Sequence, residues 1–381
     1  MNFELTDEQK LWKETLVEFS RQELTYDIAA LEKSGEFPWD AWRKCAEMQI
    51  LAMPFPDEYG GCGADFLTTV HSLNALGYAC KDAGLVHAIA TQILCGLQIV
   101  LFGSEALKSK YLPLLCRGEK VFAQAITEPE SGSDALAMQT KARQHDESYI
   151  LNGSKTFITN GPMADVVIVF AVTAPEKKAL GGISCFVVED GMQGVSKGKP
   201  LQKMGLSTLQ NGELFFDKCE VSASQMVGKE GQGAIIFNES MEWERSLLPA
   251  AHLGTMERIL ELSVKYAKER RAFGKNIGSY QSVANKISRM KMNIELGKGI
   301  LYRCATLKDA NKRASLDASI CKLFISESLK QACLDAVQIH GGYGYMCEYE
   351  IERDLRDSIA STIYSGTSEL QHNVIARFVG L

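Results

Sequence analysis

The sequence predicts an α+β multidomain fold with an N-terminal helical domain, a middle β-barrel or β-sandwich domain and a C-terminal four-helix bundle. Three observations support this order. Apolar residues recur at helical spacing over the first 117 residues, the period drops to two and β-branched residues dominate from 121 to 227, and helical spacing returns from 231 onward. The 381 residues also exceed what one ordinary core accommodates. We therefore predict domains at 1–117, 118–229 and 230–381.

The N-terminal domain begins with a recognisable helix start. Residues 6–9 (TDEQ) have the capping-box pattern, in which the Thr6 side chain accepts from the backbone of Gln9. Pro38 lies where a second helix could begin. The long Ala- and Leu-rich stretch 65–101 predicts helices buried on several sides. A shorter helix is expected over 104–116, followed by Gly118 as a C-cap.

The middle domain reads as a series of short strands. Residues 148–159 (SYILNGSKTFIT) predict a β-hairpin with Asn152 and Gly153 at its turn. Three further segments predict buried strands: 166–172, 183–188 and 213–216.

The C-terminal domain contains three long amphipathic segments, 253–271, 282–307 and 316–339. Because long helices joined by short links pack against one another, we expect an antiparallel bundle.

Composition excludes several classes of partner. A net charge of −6 argues against nucleic acid. No apolar run approaches the roughly 20 residues that span a bilayer, so we expect no membrane association. The acidic segment 1–9 does not resemble a signal or transit peptide. The eleven cysteines occur singly and without a CxxC pair, which predicts reduced, buried thiols, no metal site and a cytoplasmic location.

Five motifs, in order along the chain, resemble those of the acyl-CoA dehydrogenase family. They are 118–120 (GEK) leading into 124–134 (QAITEPESGSD), 151–161 (LNGSKTFITNG), 270–275 (RRAFGK), 338–345 (QIHGGYGY) and 363–371 (IYSGTSELQ). The resemblance covers the whole chain and implies the acyl-CoA dehydrogenase fold, with FAD as cofactor. It also implies a homotetramer built as a dimer of dimers, in which Arg270 and Gln281 complete the FAD site of a neighbouring subunit.

The resemblance further implies which residues contact FAD, with Thr127 near the flavin N5. These residues are Gln124, Ile126, Thr127, Gly132, Ser133, Phe157, Ile158, Thr159, Arg270, Phe273, Gln281, Gln338, Gly341, Gly342, Thr367 and Glu369. No GxGxxG motif follows a strand, so a Rossmann nucleotide site is not supported.

The expected reaction removes a proton from the Cα of an acyl thioester while hydride leaves Cβ for the flavin. It requires a positioned carboxylate and donors to the developing enolate oxygen. In much of the family a glutamate precedes the Gly-Thr pair, but here that position is Ser365. A branch similar to isovaleryl-CoA dehydrogenases carries the glutamate on a helix before an arginine, which matches Glu244 and Arg245. The resemblance therefore implies Glu244 as the catalytic base and Arg245 as its internal charge partner.

Two other glutamates are rivals for this role, Glu239 and Glu242. Glu242 points about 200° away from Glu244 round a helix, so the two cannot share one role. Besides the base, the expected substrate-binding residues are Ser133, Arg245, Tyr364, Ser365 and Gly366, with the Ser365 N–H and a flavin ribityl hydroxyl serving the thioester carbonyl.

The acyl group is less constrained. Placing the base on the helix frees room around Cα and Cβ, and the chain resembles enzymes that oxidise prolyl thioesters on carrier proteins. That reading predicts a pocket mouth that admits only a phosphopantetheine arm. An isovaleryl-CoA-like dehydrogenase is the main alternative. A catalytically inactive FAD-binding scaffold and a flavin monooxygenase are further ones, and the electron acceptor is either an electron-transfer flavoprotein or O2.

Overall fold

A computed structural model describes residues 5–381 of the chain. The prediction about the acidic segment 1–9 falls partly on residues 1–4, which lie outside the described residues.

The N-terminal domain is helical, as predicted. Thr6 caps the first helix, and its side chain accepts from the Gln9 N–H while the Gln9 side chain accepts from the Thr6 N–H, which confirms the capping box. Pro38 occupies the N-cap of α3, and Gly118 follows α6 with a φ of 63°. The helices are α1 (Asp7–Glu23), α2 (Ile28–Ser34), α3 (Trp39–Glu47), α4 (Phe66–Ala79), α5 (Ala83–Phe102) and α6 (Glu105–Cys116).

Helix α5 corrects one expectation from composition. This 20-residue helix is long and apolar enough to cross a membrane, so the prediction that no apolar run approaches that length was wrong. The helix is nevertheless mostly buried, because it packs on α8, α6 and the first strand of the middle domain. It is the core helix of the molecule.

The middle domain is built on one eight-stranded sheet with the order β6-β7-β3-β2-β4-β5-β8, from which β1 branches by parallel pairing with β4. Its strands are β1 (Phe122–Ala125), β2 (Lys141–His145), β3 (Ser148–Thr159), β4 (Val166–Val172), β5 (Ile183–Glu189), β6 (Val195–Lys197), β7 (Asn211–Ser222) and β8 (Met226–Val227). A single turn, α7 (Ala179–Gly182), precedes β5.

The hairpin predicted at Asn152 and Gly153 was wrong. Strand β3 runs through both residues, and the register with β7 shifts between Leu151 and Gly153, which marks a β-bulge. Gly153 is required there because a Cβ atom would lie 2.5 Å from the Thr140 hydroxyl. A bulge and a turn use the same small and polar residues, so the sequence pattern alone did not distinguish them.

The C-terminal domain is a bundle around a single long helix, α8 (Gly233–Glu269). This helix begins before the predicted residue 253 and runs through Pro249. It is followed by the hairpin β9 (Arg271–Ala272) and β10 (Lys275–Asn276), and then by α9 (Gln281–Asp309), α10 (Ser315–His340), the turn α11 (Gly342–Tyr345), α12 (Ile351–Ala360) and α13 (Ser368–Phe378).

Buried polar contacts explain why α8 starts so early. Lys308 of α9 donates to Glu239 at 2.5 Å and to Glu242 at 3.2 Å, so the polar first turns of α8 have partners on neighbouring helices. Helix α8 packs on α4, α5, α9 and α10 and therefore connects the N-terminal and C-terminal helices. Any side chain halfway along it lies in the interior of the molecule.

All eleven cysteines are free thiols. Nine are buried as expected, whereas Cys62 and Cys347 are exposed. Among residues 5–381, no cluster of three or more His, Cys, Asp or Glu side chains could hold a metal ion.

Candidate active site

The structure brings Glu244 and Ser365 into direct contact although 121 positions separate them. The Ser365 hydroxyl donates to Glu244 Oε1 at 2.5 Å, and both residues are half-buried. Glu244 projects from the interior of α8, and Ser365 lies in the turn between α12 and α13. A carboxylate therefore occupies the space beside the serine that replaces the expected glutamate.

The turn that carries Ser365 is held by its carbonyl groups. Ser365 and Gly366 have left-handed φ values of 55° and 88°. The Ser365 carbonyl accepts from Arg245 Nε at 3.0 Å and from Gln371 Nε2 at 3.1 Å, and the Gly366 carbonyl accepts from Gln371 Nε2 at 3.0 Å. Thr367 caps α13 by accepting from the Leu370 N–H at 3.3 Å. In the described chain the Ser365 N–H donates to no acceptor, so it is available to a ligand.

Arg245 binds the Ser365 turn directly and acts on Glu244 through its charge. Its guanidinium donates to the Ser365 carbonyl and forms no ion pair within the described residues. Burial lowers the pKa of Arg245, and the nearby Glu244 charge opposes that shift. Arg245 thus anchors the turn rather than pairing with the carboxylate.

The surroundings of Glu244 are mostly desolvating. Burial raises the pKa of Glu244, whereas the Ser365 hydrogen bond and the charges of Arg245 and Lys322 act in the opposite direction. Lys322 of α10 is 2% exposed and its Nζ has no hydrogen-bond partner among the described residues. Burial and the neighbouring Arg245 lower the pKa of Lys322 to about 8. Sequence reasoning missed this lysine, although a lone lysine on an otherwise apolar and small-residue helix face was a visible signal.

The two rival glutamates are occupied elsewhere. Glu242 accepts from Lys308 and from the Ala314 N–H at 3.2 Å, and it also accepts from the Ser315 hydroxyl. Glu239 accepts from Lys308 and from the Trp243 indole at 3.1 Å. Glu239 therefore joins α8 to α9, and Glu242 joins α8 to both α9 and α10.

A small cavity of about 30 Å³ opens next to the Ser365 turn. Tyr364, which directly precedes Ser365, and Leu248, which lies one helical turn after Glu244, both line it. The Tyr364 hydroxyl lies 2.6 Å from His252 Nε2, and the His87 ring packs edge-on against the Tyr364 ring at 4.8 Å. The sequence analysis did not single out either histidine, even though each interrupts a long apolar helix.

A buried ion pair supports the loop that follows β1. Lys155 Nζ lies 2.8 Å from Glu128 Oε1 and donates to the Ile126 carbonyl at 2.9 Å. Glu128 also accepts from the Gln139 and Thr140 N–H groups. Burial alone would raise the pKa of Glu128, but the Lys155 charge and these donors outweigh it and lower that pKa. Burial lowers the pKa of Lys155 to about 8.

The predicted cofactor-binding residues of this loop and of strand β3 differ in how exposed their side chains are. The side chains of Ile126 and Ile158 are buried in the hydrophobic cores, so a cofactor contact at these positions would be made by their backbone. Thr127 and Thr159 are half-buried, Gly132 and Ser133 are exposed, and Gln124 contacts the Gln98 side chain of α5. Phe157 is 65% exposed with a φ of 57°, which turns its ring out of the sheet.

A second cluster of predicted residues lies at the far end of α8. Arg270 stacks over the Tyr343 ring at 5.7 Å beside a groove of about 560 Å³ lined by Gly341 and Gly342. Phe273 is 96% exposed on the β9–β10 turn. Gln281, the first residue of α9, and Gln338, near the end of α10, are also exposed. Residue 270 follows residue 244 by 26 positions on α8, or about 39 Å at 1.5 Å per residue. The two clusters therefore do not meet within one subunit.

Comparison with known proteins agrees across the chain. Residues 6–119, 123–219 and 231–380 match the N-terminal, middle and C-terminal domains of acyl-CoA dehydrogenases. L-prolyl-[peptidyl-carrier protein] dehydrogenase of Pseudomonas fluorescens is 41% identical over 99% of both chains. The crystal structure of the prolyl acyl carrier protein oxidase AnaB superposes with a TM-score of 0.98 at 45% identity, covering 99% of this chain and 100% of that one. A structure of PigA with FAD and proline gives a TM-score of 0.97 at 37% identity over 100% of both chains.

Proposed function

Because the chain belongs to the acyl-CoA dehydrogenase family, we propose that it is a flavoenzyme that dehydrogenates an acyl thioester between Cα and Cβ, with Glu244 as the base. The observation that carries this proposal is the 2.5 Å contact between Glu244 Oε1 and the Ser365 hydroxyl, because it puts a carboxylate at the position that Ser365 leaves without one. The cofactor is FAD, which PigA also binds.

The residues present fit FAD. A Cβ atom on Gly341, Gly342 or Gly132 would meet nothing within 4 Å, so backbone at these positions is open to close approach by a ligand. The Arg270 guanidinium beside Gly341 and Gly342 suits a diphosphate. Thr127 and Thr159 would hold the flavin edge, and Thr367 and Glu369 would lie beside it. When bound, FAD supplies the acceptor for the hydride that leaves Cβ.

The chain's own residues perform the proton chemistry. Glu244 takes the Cα proton, and its burial makes the carboxylate a stronger base than an exposed glutamate. The Ser365 hydroxyl orients the carboxylate, and the Ser365 N–H hydrogen-bonds the enolate oxygen that develops on the thioester carbonyl. Arg245 and Gln371 fix that N–H in place by holding the carbonyls of the same turn.

We favour a prolyl thioester on a carrier protein as the substrate. The Pseudomonas fluorescens relative and AnaB are both named for prolyl carrier-protein chemistry. The cavity next to the Ser365 turn is small and is lined by Tyr364 and His252, which supports a compact acyl group. An isovaleryl-CoA-like activity is the second candidate, because the helix position of Glu244 matches that branch as well.

The separation of the Glu244 and Arg270 clusters supports an assembly in which neighbouring subunits share FAD sites. Since Arg270 and Glu244 lie about 39 Å apart along α8, Arg270, Phe273, Gln281 and the 338–342 turn would complete the FAD site of a neighbouring subunit. We propose a homotetramer in the cytoplasm, with an electron-transfer flavoprotein or O2 as the electron acceptor.

Anaerobic mixing of the flavin-loaded enzyme with a panel of thioesters tests the proposal. The panel contains a prolyl-carrier protein, isovaleryl-CoA and butyryl-CoA, and the readout is bleaching of the flavin absorbance. We expect the prolyl-carrier protein to bleach the flavin fastest, and Glu244→Gln to slow bleaching by every substrate by about 10²–10⁴-fold. Faster reduction by free isovaleryl-CoA would select the second candidate, and no reduction by any thioester would indicate an inactive FAD-binding scaffold.

A further inference from the structure

The cavity beside the active site ends in three polar side chains, His87 of α5, His252 of α8 and Tyr364 of the turn before α13. We call them the polar wall. The Tyr364 hydroxyl and His252 Nε2 lie 2.6 Å apart, and His87 packs edge-on against the Tyr364 ring at 4.8 Å. An alkyl chain would gain nothing from such a wall, because apolar atoms cannot replace the hydrogen bonds of buried polar groups.

The imidazoles of the polar wall are neutral. Burial lowers the pKa of His87 to about 4 and that of His252 to about 3. A neutral imidazole offers one donor and one acceptor nitrogen. His252 Nε2 is engaged by Tyr364, but His252 Nδ1 is buried without a hydrogen-bond partner among the described residues. A buried polar atom of this kind costs free energy until a ligand or water pairs with it.

The other ionisable groups of this cavity are acidic. Asp354 and Asp357 line its far side, whereas no lysine or arginine side chain is among its lining residues. Asp354 is paired with Arg258, and Asp357 accepts from the Leu206 N–H at 2.5 Å. The charge of Asp354 is thus balanced by Arg258, and burial raises the pKa of Asp357 to about 7, so the cavity offers a ligand hydrogen-bonding groups rather than a strong charge.

The polar wall is also near the reacting carbon. Tyr364 directly precedes Ser365, whose hydroxyl contacts Glu244, and Leu248 lies one turn after Glu244 on α8. An acyl group with its Cα at Glu244 therefore extends toward Tyr364. In a prolyl group the ring nitrogen is bonded directly to Cα, so it lies close to the polar wall when Cα lies at Glu244.

We propose that the polar wall is a specificity element that selects an acyl group bearing a secondary amine in a small ring over the same ring made only of carbon. This proposal rests on the proposed thioester dehydrogenation and identifies the chemical class of its acyl group. A site built to hydrogen-bond a polar group discriminates strongly against an isostere that lacks it, because its own polar groups are then left unpaired.

Two isosteric substrates test this directly: prolyl and cyclopentanecarbonyl thioesters on the same phosphopantetheinyl carrier protein. They differ only in NH against CH2. Rates of anaerobic flavin reduction are measured for the wild type, for Tyr364→Phe, which removes only a hydroxyl, and for His252→Leu. The matched control is Leu329→Met, which changes an apolar residue of the same cavity.

We expect the wild type to reduce its flavin at least tenfold faster with the prolyl substrate. Tyr364→Phe and His252→Leu should bring the two rates within a few-fold of each other through loss of the prolyl rate, while Leu329→Met keeps the preference. Flavin content and melting temperature verify that each variant is folded. Equal rates in the wild type, or an unchanged preference in both polar-wall variants, overturn the proposal. If neither ring substrate reduces the flavin but isovaleryl-CoA does, this proposal alone is overturned. If no thioester reduces it, the thioester dehydrogenation is overturned and this proposal with it.

Discussion

The exchange between positions 365 and 244 is the central feature at the scale of single residues. Ser365 keeps the backbone N–H and the left-handed turn of an active-site loop, while its short hydroxyl reaches only as far as Glu244. In the proposed mechanism, the base and the oxyanion donor, which a single glutamate could supply together, are therefore divided between two elements. Such a division allows each to be altered separately.

The first prediction separates these two functions. We expect Glu244→Gln to slow flavin reduction by about 10²–10⁴-fold, the usual contribution of a general base. Adding Ser365→Glu to this variant should restore part of the rate, because the two positions address the same carbon. Stopped-flow flavin absorbance is the measurement. Ser365→Ala in the same background is the control and should restore nothing; equal rescue by alanine would contradict the shared position.

The second prediction concerns Lys322, whose charge lowers the pKa of Glu244. In Lys322→Met that pKa should rise, so the acid limb of the rate profile, where Glu244 becomes protonated, should move to higher pH. Removal of an unpartnered buried amine should also stabilise the fold by about 1–3 kcal/mol. Lys330→Met, which alters an ion-paired lysine of the same helix, is the control for both measurements. An unmoved acid limb would show that Lys322 does not act on Glu244.

At the scale of secondary-structure elements, the segment between β1 and β2 and the strand β3 form one unit. The ion pair between Glu128 and Lys155 is nearly inaccessible, and its lysine also binds the Ile126 carbonyl. This explains why two of the motifs that suggested a flavin site occur together. Motif 124–134 provides the loop, and motif 151–161 supports it through Lys155. Removing one partner leaves a buried charge, whereas removing both does not.

The third prediction follows from that difference. Lys155→Met should destabilise the protein by about 3–5 kcal/mol and reduce its flavin content. The double variant Glu128→Gln with Lys155→Met should recover a large part of both losses, since no uncompensated charge remains. Chemical denaturation and the ratio of flavin to protein absorbance measure these effects. Should the double variant be as unstable as the single one, packing rather than charge would explain the role of Lys155.

At the scale of the whole molecule, buried polar contacts join the three domains. The Leu206 N–H of the middle domain donates to Asp357 of α12 at 2.5 Å, and Thr208 donates to Asp82, the N-cap of α5, at 2.6 Å. Burial raises the pKa of Asp357 to about 7. The junction between the middle domain and the helical domains is thus sensitive to protonation.

The fourth prediction gives the sign of this sensitivity. The pKa of Asp357 is higher in the folded than in the unfolded chain, so its contribution to stability is fully present below about pH 4 and is lost as pH rises through about 7. Asp357→Asn, whose side-chain oxygen can still accept from Leu206, should flatten the decline of the melting temperature over that range. Exposed Asp217→Asn should leave the decline unchanged. A slope in Asp357→Asn equal to that of the wild type would contradict the assignment.

The fifth prediction tests the shared cofactor site by subunit mixing. If Arg270 serves the FAD of a neighbouring subunit, Arg270→Ala and Glu244→Gln subunits should complement each other when co-expressed, because one type of mixed site then has both residues. Each variant alone should be weakly active. If Arg270 served its own subunit, co-expression would give no more activity than the variants alone.

The sequence by itself determined the order of helical and β domains, the capping box at Thr6, and the pairing of an absent glutamate at Ser365 with a present one at Glu244. These features depend on local periodicity or on motifs whose residues are adjacent along the chain. It did not determine the bulge at Gly153 or the true start of α8.

Only the tertiary structure decided the remainder. The contact of Ser365 with Glu244, the Lys155 support of the flavin loop and the polar wall each join elements that are distant in sequence. Packing around α8 selects these contacts, since a buried polar group is stable only where a partner from another element meets it. The sequence left Glu239, Glu242 and Glu244 of α8 as candidates. In the structure Lys308 binds Glu239 and Glu242, and Ser315 also binds Glu242, so Glu244 is the candidate left beside Ser365.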